Sequence, residues 1–227
     1  MPGKGKKGSK DKKQDKRIKS LEKMVYKTIE NKQLNERVTN SVVTGTSAFV
    51  ATGLLQTGVG AEDGDQSGGS SAARIGNTIT LMNQRVKYTL EAAALDVYNR
   101  VRVIIVESLD GNQVLNLGDL LQYSDYSVYN NLVFCSPYTT KTDTNRRYKI
   151  HSDRVFELNS KAKGATAYHN ENIKFRQGGS PGKLVEFDGP LSTFPTNHNL
   201  MIFAISDSEV SPHPRISAAI RSTYKDA

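Results

Sequence analysis

The stretch that points most directly to the fold is Val101–Glu107, VRVIIVE, in which five of the seven residues are β-branched. Such side chains suit the pleated surface of a sheet, and an apolar run of this length is typical of a buried strand. Comparable runs, bounded by polar loops, occur on both sides of it: Ile79–Leu81, Val86–Leu90, Tyr148–Ile150, Val155–Leu158, Ile173–Arg176, Leu184–Phe187, Leu200–Ile205 and Ile216–Tyr224. About eight short strands without alternating long helices predict an all-β fold, an antiparallel sandwich or barrel.

Three local predictions accompany this pattern. The apolar parity changes between Leu81 and Val86, which indicates a bulge or turn near Asn83 and Gln84. The segment 115–122 is predicted to form one short helix, and the glycine-rich residues 57–72 are predicted to form a loop.

The charge of the chain is divided very unevenly. Residues 1–40 hold 13 of the 31 Lys and Arg residues and five of the 23 Asp and Glu residues, so they carry the whole formal charge of +8. Residues 41–227 are neutral overall. A lysine-rich segment with so little apolar content is expected to be disordered until a polyanion neutralises it, and nucleic acid is the obvious polyanion. A nuclear-localisation signal or a solubility tail is the simpler alternative.

Three segments are expected. Residues 1–16 are predicted to be a disordered basic arm, residues 17–38 a basic amphipathic helix, and residues 39–227 the β domain. The helix is predicted because apolar residues recur at helical spacing from Ile18 to Ile29 and no Gly or Pro interrupts them. The residues predicted to contact phosphates are Lys4, Lys6, Lys7, Lys10, Lys12, Lys13, Lys16, Arg17, Lys19 and Lys23.

Several classes of protein are disfavoured. No apolar run approaches the roughly 18 residues of a membrane helix, and the lysine-rich start of the sequence does not resemble a signal peptide, so we expect an intracellular product without a membrane partner. The single cysteine, Cys135, excludes an intrachain disulfide framework. Residues 178–183, GGSPGK, do not have the spacing of a phosphate-binding loop.

No catalytic constellation is visible in the sequence. The four histidines are scattered and show no metal-ligand spacing. His151, Ser152 and Asp153 contain the residue types of a catalytic triad, but neighbours on a strand point to opposite faces of the sheet, and a triad depends on geometry. We therefore expect a protein that is not an enzyme and has no small-molecule substrate.

Six stretches carry a resemblance to a known family. They are Lys23-Met24 with Ile29-Glu30; Arg74-x-Gly76-x-x-Ile79; Val101–Glu107; Asn145–Ile150 followed by Asp153; Gly182–Val185 with Gly189; and Tyr224-x-Asp226-Ala227. In this order they resemble the coat proteins of the satellite tobacco necrosis virus type, and they are also similar to capsid proteins of small circular single-stranded DNA viruses.

The resemblance implies an eight-stranded antiparallel jelly roll, which is a two-sheet sandwich. It further implies that sixty copies close into a T=1 icosahedral shell around a single-stranded RNA or DNA genome that the basic arm holds. No cofactor is required, but the resemblance implies Ca²⁺ at subunit contacts. The matching ligand positions are Asp226, the Ile75 carbonyl, Thr78 and Glu30, and Thr78 replaces a longer amide ligand of the family. Oxygen ligands suit Ca²⁺.

The expected function is therefore that of a viral capsid protein, located in the virion and assembled inside the host cell. The main alternative is a monomeric nucleic-acid-binding β-barrel module with a basic tail. A secreted carbohydrate-binding jelly roll is a third class, disfavoured because neither a signal peptide nor disulfides accompany it.

Overall fold

A computed structural model describes residues 9–28, 31–51, 55, 74, 76–93, 97–109, 115–139, 148–161, 165–189, 192, 195–209 and 211–226. The helices are α1, Ser9–Thr28; α2, Leu117–Leu120; α3, Tyr126–Tyr129; and α4, Leu132–Cys135. The strands are β1, Asn31–Val42; β2, Phe49–Ala51; β3, Thr78–Glu91; β4, Tyr98–Ser108; β5, Tyr148–Asn159; β6, Thr166–Lys174; β7, Arg176–Gln177; β8, Ser180–Pro181; β9, Lys183–Glu186; β10, Asn199–Ser206; and β11, Arg215–Asp226.

Two antiparallel sheets form a sandwich. The five-stranded sheet has the order β1-β11-β3-β6, with β9 paired to the first residues of β3. The four-stranded sheet has the order β2-β10-β4-β5, and β7 and β8 form a separate small hairpin. Apart from β9, each sheet contains four strands, and eight antiparallel strands in this order form a jelly roll, which confirms the predicted fold class.

The two central strands of the four-stranded sheet, β4 and β10, bury apolar side chains on both faces. Between the two sheets lies the main core, which includes Val103 and Ile105 of β4, whereas Ile104 and Val106 of the same strand belong to a second apolar cluster on the outer face. The segment 115–139, which contains the three short helices, covers that outer face. This double burial explains why Val103–Val106 are all apolar and show no polar alternation.

The predicted irregularity in β3 is present. Asn83 pairs with Thr223 of β11, but Leu81 pairs with the next residue, Tyr224, so Met82 is an extra residue on β3. This bulge lies immediately before the predicted position and lets apolar residues on both sides of it face the core. The predicted helix in 115–122 is also confirmed, as α2.

The boundaries of the arm differ from the prediction of a disordered segment 1–16, a helix 17–38 and a body that starts at residue 39. Helix α1 begins at Ser9, because its Lys, Gln and Arg residues lose little rotamer freedom in a helix. Residues 31–38 are strand, because Leu34 enters the core and the backbone pairs with β11, so tertiary pairing overrides helical spacing. The prediction for residues 1–8 lies outside the described part of the chain.

None of the helices in the described ranges has the length and apolar character needed to cross a bilayer.

Candidate nucleic-acid interface

Helix α1 carries the predicted phosphate-contacting residues from Lys10 to Lys23, whereas Lys4, Lys6 and Lys7 lie outside the described residues. All the side chains from Lys12 to Leu21 are exposed. Of the apolar stripe, the two side chains that the structure describes are exposed as well: Ile18 is 53% and Leu21 60% accessible. The helix thus presents both its charges and its apolar residues to whatever binds it.

The arm is connected to one particular sheet. Helix α1 ends at Thr28, and β1, which begins at Asn31, is the outermost strand of the five-stranded sheet beside β11. Helix α1 is therefore joined to the edge strand of this sheet.

The outer face of the five-stranded sheet is basic, which the sequence analysis did not predict. Residues that are paired directly across antiparallel strands lie on the same face, so the register identifies them. Among the described residues of this outer face, six exposed side chains are basic and two, Glu91 and Glu186, are acidic. We call the six cations the basic face: Arg37, Arg85, Lys87, Lys174, Arg215 and Arg221.

Two neighbouring rows of paired residues across the outer face of the sheet contain four of the six cations. Arg221 of β11 lies directly opposite Arg85 of β3, and in the next row Lys87 lies two residues from Arg85. The paired residues that complete these rows on β1, β11 and β6 are Asn35, Arg37, Ala219, Asn170 and Asn172, so the rows contain no carboxylate. Like charges in opposite positions destabilise a sheet, and an external anion relieves that repulsion.

Asparagine side chains hold the two arginines in place. Arg221 Nε donates to Asn35 Oδ1 at 3.0 Å, and Arg85 Nε donates to Asn170 Oδ1 at 3.0 Å. An amide oxygen positions the guanidinium without neutralising it, so the full charge of each remains available to a phosphate.

A groove of about 440 Å³ at the end of the sandwich extends this basic surface. Four cations line it, namely Lys149, Lys174, Arg176 and Lys183. Lys174 belongs to the basic face as well, so the positive surface continues around the edge of the sheet. This is the end of the sheet where β1 begins, because Asn31 pairs with Lys225 at the end of β11.

Beneath the groove, a buried ionic cluster connects the two sheets. Glu107 at the end of β4 accepts hydrogen bonds from His151 Nε2 at 2.9 Å, from His198 Nδ1 at 3.0 Å and from the Lys183 ammonium. His198 Nε2 lies 2.9 Å from the side-chain amide of Gln84 on β3. Because several donors already occupy the Glu107 carboxylate, the cluster serves to hold the sheets together and offers no free base for catalysis.

The protonation of this cluster follows from its burial and hydrogen bonds. Burial alone raises the pKa of Glu107, but the hydrogen bonds from His151, His198 and Lys183 outweigh it and hold the pKa well below its usual range. Burial lowers the pKa of His198 more than Glu107 raises it. In the structure Gln84 Oε1 faces His198 Nε2, and Gln84 Nε2 donates to Ser222 Oγ at 3.0 Å. A neutral His198 whose Nδ1–H donates to Glu107 is satisfied when this amide is turned over, so that its nitrogen donates to Nε2 and its oxygen accepts from the Ser222 hydroxyl.

We expect the free energy of unfolding to fall as the pH is lowered from 7.5 to 5.5. His198 stays neutral in the folded chain while the unfolded chain binds a proton below about pH 6.5, so each further pH unit costs up to about 1.4 kcal/mol. Glu107 adds a loss only below about pH 4.3, where the unfolded carboxyl becomes protonated. Urea unfolding at several pH values measures this slope, which His198→Gln should flatten. An unchanged slope in that variant would contradict the assignment.

The residues of the apparent triad do not come together. His151 binds Glu107, while both oxygens of Asp153 accept hydrogen bonds from the guanidinium of the buried Arg102, at 2.9 and 2.7 Å. Arg102 in turn donates to the Val133 carbonyl at 2.5 Å, which fastens the covering segment 115–139 to the sheet. Asp153 is thus part of an ion pair that supports packing.

The predicted calcium positions are only partly described. Thr78 begins β3, and the backbone of Asp226 pairs with the adjacent Ile79. These two positions therefore lie at the same end of the paired strands β3 and β11. Ile75 and Glu30 lie outside the described residues. Within the described ranges, no group of three or more His, Cys, Asp or Glu side chains is arranged to hold a metal ion. The calcium site stays a prediction.

Two of the stretches that carried the family resemblance meet in space. The guanidinium of Arg74, which is buried, donates to the Gly189 carbonyl at 2.6 Å and lies 4.1 Å from the centre of the Phe187 ring. It also donates to the carbonyl oxygens of Gly76 and, at 2.5 Å, Ser192. Arg74 therefore ties the start of β3 to the loop after β9.

The fold and the interface together define the class of the molecule: a jelly-roll protein with a basic helix and a basic outer sheet face, both suited to a polyanion. No family model matches the chain, and no curated protein matches it.

Among solved structures, the chain is similar to one of Desmodium yellow mottle tymovirus at 9% identity, over 87% of this chain and 88% of that chain, with a TM-score of 0.36. It is also similar to a structure of the empty head of turnip yellow mosaic virus at 9% identity, over 88% of this chain and 82% of that chain, again with a TM-score of 0.36. The function proposed below rests instead on the strand order and the charges of this chain itself.

Proposed function

We propose that this protein is a viral capsid protein whose copies assemble into a closed icosahedral shell and package a single-stranded nucleic-acid genome. The sixty-subunit T=1 shell implied by the family resemblance is the form we propose. The observation that carries the proposal is the opposite character of the two outer faces of the sandwich.

The contrast between the faces suits a shell with an inside and an outside. The five-stranded sheet presents the basic face and continues into the basic helix α1. The segment 115–139, which covers the four-stranded sheet, contains Asp119 and Asp125 and no Lys or Arg. A subunit with a basic face and a basic helix on one side can bind a polyanion with that side while other surfaces pack against other copies.

Exposed apolar side chains offer contacts between copies. Val128 on α3 is 62% exposed, and Leu132 on α4 is 49% exposed, with Tyr129 between them. Neighbouring exposed apolar residues on one segment are typical of an interaction surface. In the proposed shell they pack against a second copy.

The purified full chain, mixed with single-stranded nucleic acid, is expected to form uniform closed particles. Val128→Asp together with Leu132→Asp should abolish them, because a carboxylate buried in an apolar contact is strongly unfavourable. Negative-stain microscopy and light scattering measure the particles, and circular dichroism checks that the variant is folded. Val128→Ile is the matched control and should assemble normally.

A parent chain that stays monomeric when it binds nucleic acid would contradict the capsid function and favour the alternative of a monomeric binding module. The nucleic acid extracted from particles, treated with RNase or DNase, identifies the cargo.

A further inference from the structure

Among the described residues on the outer face of the five-stranded sheet, Tyr168 of β6 is the only large aromatic side chain, and it shares this face with the six cations of the basic face. Tyr168 is directly opposite Thr89 of β3, and Thr89 is directly opposite Ser217 of β11, so all three share the outer face. The side chain is 61% exposed. An exposed ring on a surface of cations offers an apolar flat contact where the other side chains offer charge.

Short side chains leave an open depression beside this ring. The depression has a volume of about 260 Å³ and is lined by Thr89, Ser217 and Ala219 together with Tyr168 and Lys87. Ser217 Oγ accepts the Asn40 backbone N–H at 2.9 Å, which fixes this part of the floor. A flat group therefore has room to lie against the Tyr168 ring without displacing a long side chain.

Positive charge borders the depression on one side. Lys87 lines the depression. Arg85, two residues before Lys87 on β3, lies opposite Arg221 of β11. The ring, the flat floor and the row of cations are the parts from which surfaces that bind single-stranded nucleic acid are built: an aromatic face for a base and positive charge along the backbone.

We propose that this depression is a base-stacking site for single-stranded nucleic acid. An unpaired base stacks on Tyr168 while the adjoining phosphates lie against Lys87, Arg85 and Arg221. The inference rests on the proposed packaging function and deepens it, because it places part of the binding on the folded domain and gives it a preference for unpaired bases. A duplex keeps its bases stacked inside the helix and offers this surface phosphates alone.

A tryptophan reporter tests the site directly, since the chain contains no Trp. Tyr168→Trp is compared with Tyr98→Trp, which places the reporter at an exposed position of β4 in the other sheet. Each full-length variant is mixed, before particles form, with a 20-nucleotide oligothymidylate, with a duplex of the same length or with inorganic polyphosphate. We expect the oligothymidylate to quench the fluorescence of the residue-168 reporter by about half or more, because stacking brings a base into contact with the indole. The duplex, the polyphosphate and the residue-98 reporter should give little quenching.

Affinity measurements provide the second test. Tyr168→Ala should weaken binding of oligothymidylate about 5-fold or more and leave polyphosphate binding unchanged, whereas Tyr168→Phe should bind like the parent. Fluorescence anisotropy of labelled oligothymidylate measures total binding in parallel. Binding without quenching at residue 168 overturns the stacking site but not the packaging function, and the absence of any binding overturns both. Quenching that accompanies particle formation without nucleic acid assigns the depression to a second copy and overturns the proposal.

Discussion

Deletion of residues 1–23 is expected to eliminate packaged nucleic acid while the β domain still folds. The deleted segment contains all ten predicted phosphate-contacting residues, and the core of the sandwich begins with Leu34, beyond it. Each phosphate that these side chains neutralise releases condensed counterions, so six to ten such contacts make the affinity fall by roughly 10³- to 10⁵-fold between about 50 and 200 mM salt. The deletion variant should lose most of this salt dependence and retain weak binding through the basic face.

The nucleic acid content of particles, from absorbance and from extraction, measures the effect. A matched variant keeps the helix but removes charge, with Gln in place of Lys12, Lys13, Lys16, Arg17 and Lys19, since Gln has nearly the same helix propensity as Lys and Arg. It should package poorly, and a variant with Arg at the four Lys positions should package normally. Full-length nucleic acid in particles of the deletion variant would refute the role of the arm.

Glu107→Gln is expected to lower the free energy of unfolding by about 3–5 kcal/mol, because removal of one partner from a buried ionic cluster leaves the other charge uncompensated. The Lys183 ammonium loses its counter-ion, and the hydrogen bonds from His151 and His198 lose a charged acceptor. Urea unfolding followed by circular dichroism measures the loss.

Two controls separate this cluster from a general effect of charge. Glu209→Gln removes an exposed carboxylate and should change stability by less than about 0.5 kcal/mol. The double variant Glu107→Gln with Lys183→Met should recover part of the loss, since the uncompensated ammonium is gone. Stability of Glu107→Gln equal to that of the Glu209 variant would mean that the cluster does not hold the sheets together.

The strands could be predicted from local patterns because they are encoded locally. Val103–Val106 within VRVIIVE are buried against apolar residues on both faces of the sheet, so these four consecutive positions are all apolar. The change of parity between Leu81 and Val86 located the bulge at Met82 to within two residues, because a bulge shifts the alternation of side chains along a single strand.

The start of the body was predicted incorrectly because its signal is not local. Leu34 and Val38 fit the helical spacing of α1 as well as they fit a strand. Pairing with β11, almost two hundred residues away along the chain, decides between these possibilities. Local spacing contains no information about that partner.

The basic face and the buried cluster were missed for the same reason. Arg85 and Lys87 alternate with buried residues along β3, and Arg221 alternates with buried residues along β11 in the same way. Only the register of the two strands places Arg85 opposite Arg221. Glu107 at the end of an apolar run was the one local sign of a buried ionic group. Its partners His151, Lys183 and His198 come from distant loops and strands.

The sequence by itself determined the charge partition, the all-β character and the basic helix, because composition and short-range periodicity act on each segment independently. Only the tertiary structure decided that the folded domain shares in the positive charge and that one sheet carries it. Strand pairing brings side chains of alternating parity from β1, β3, β6 and β11 to a single surface, and the net charge of a segment does not reveal on which face its charges lie.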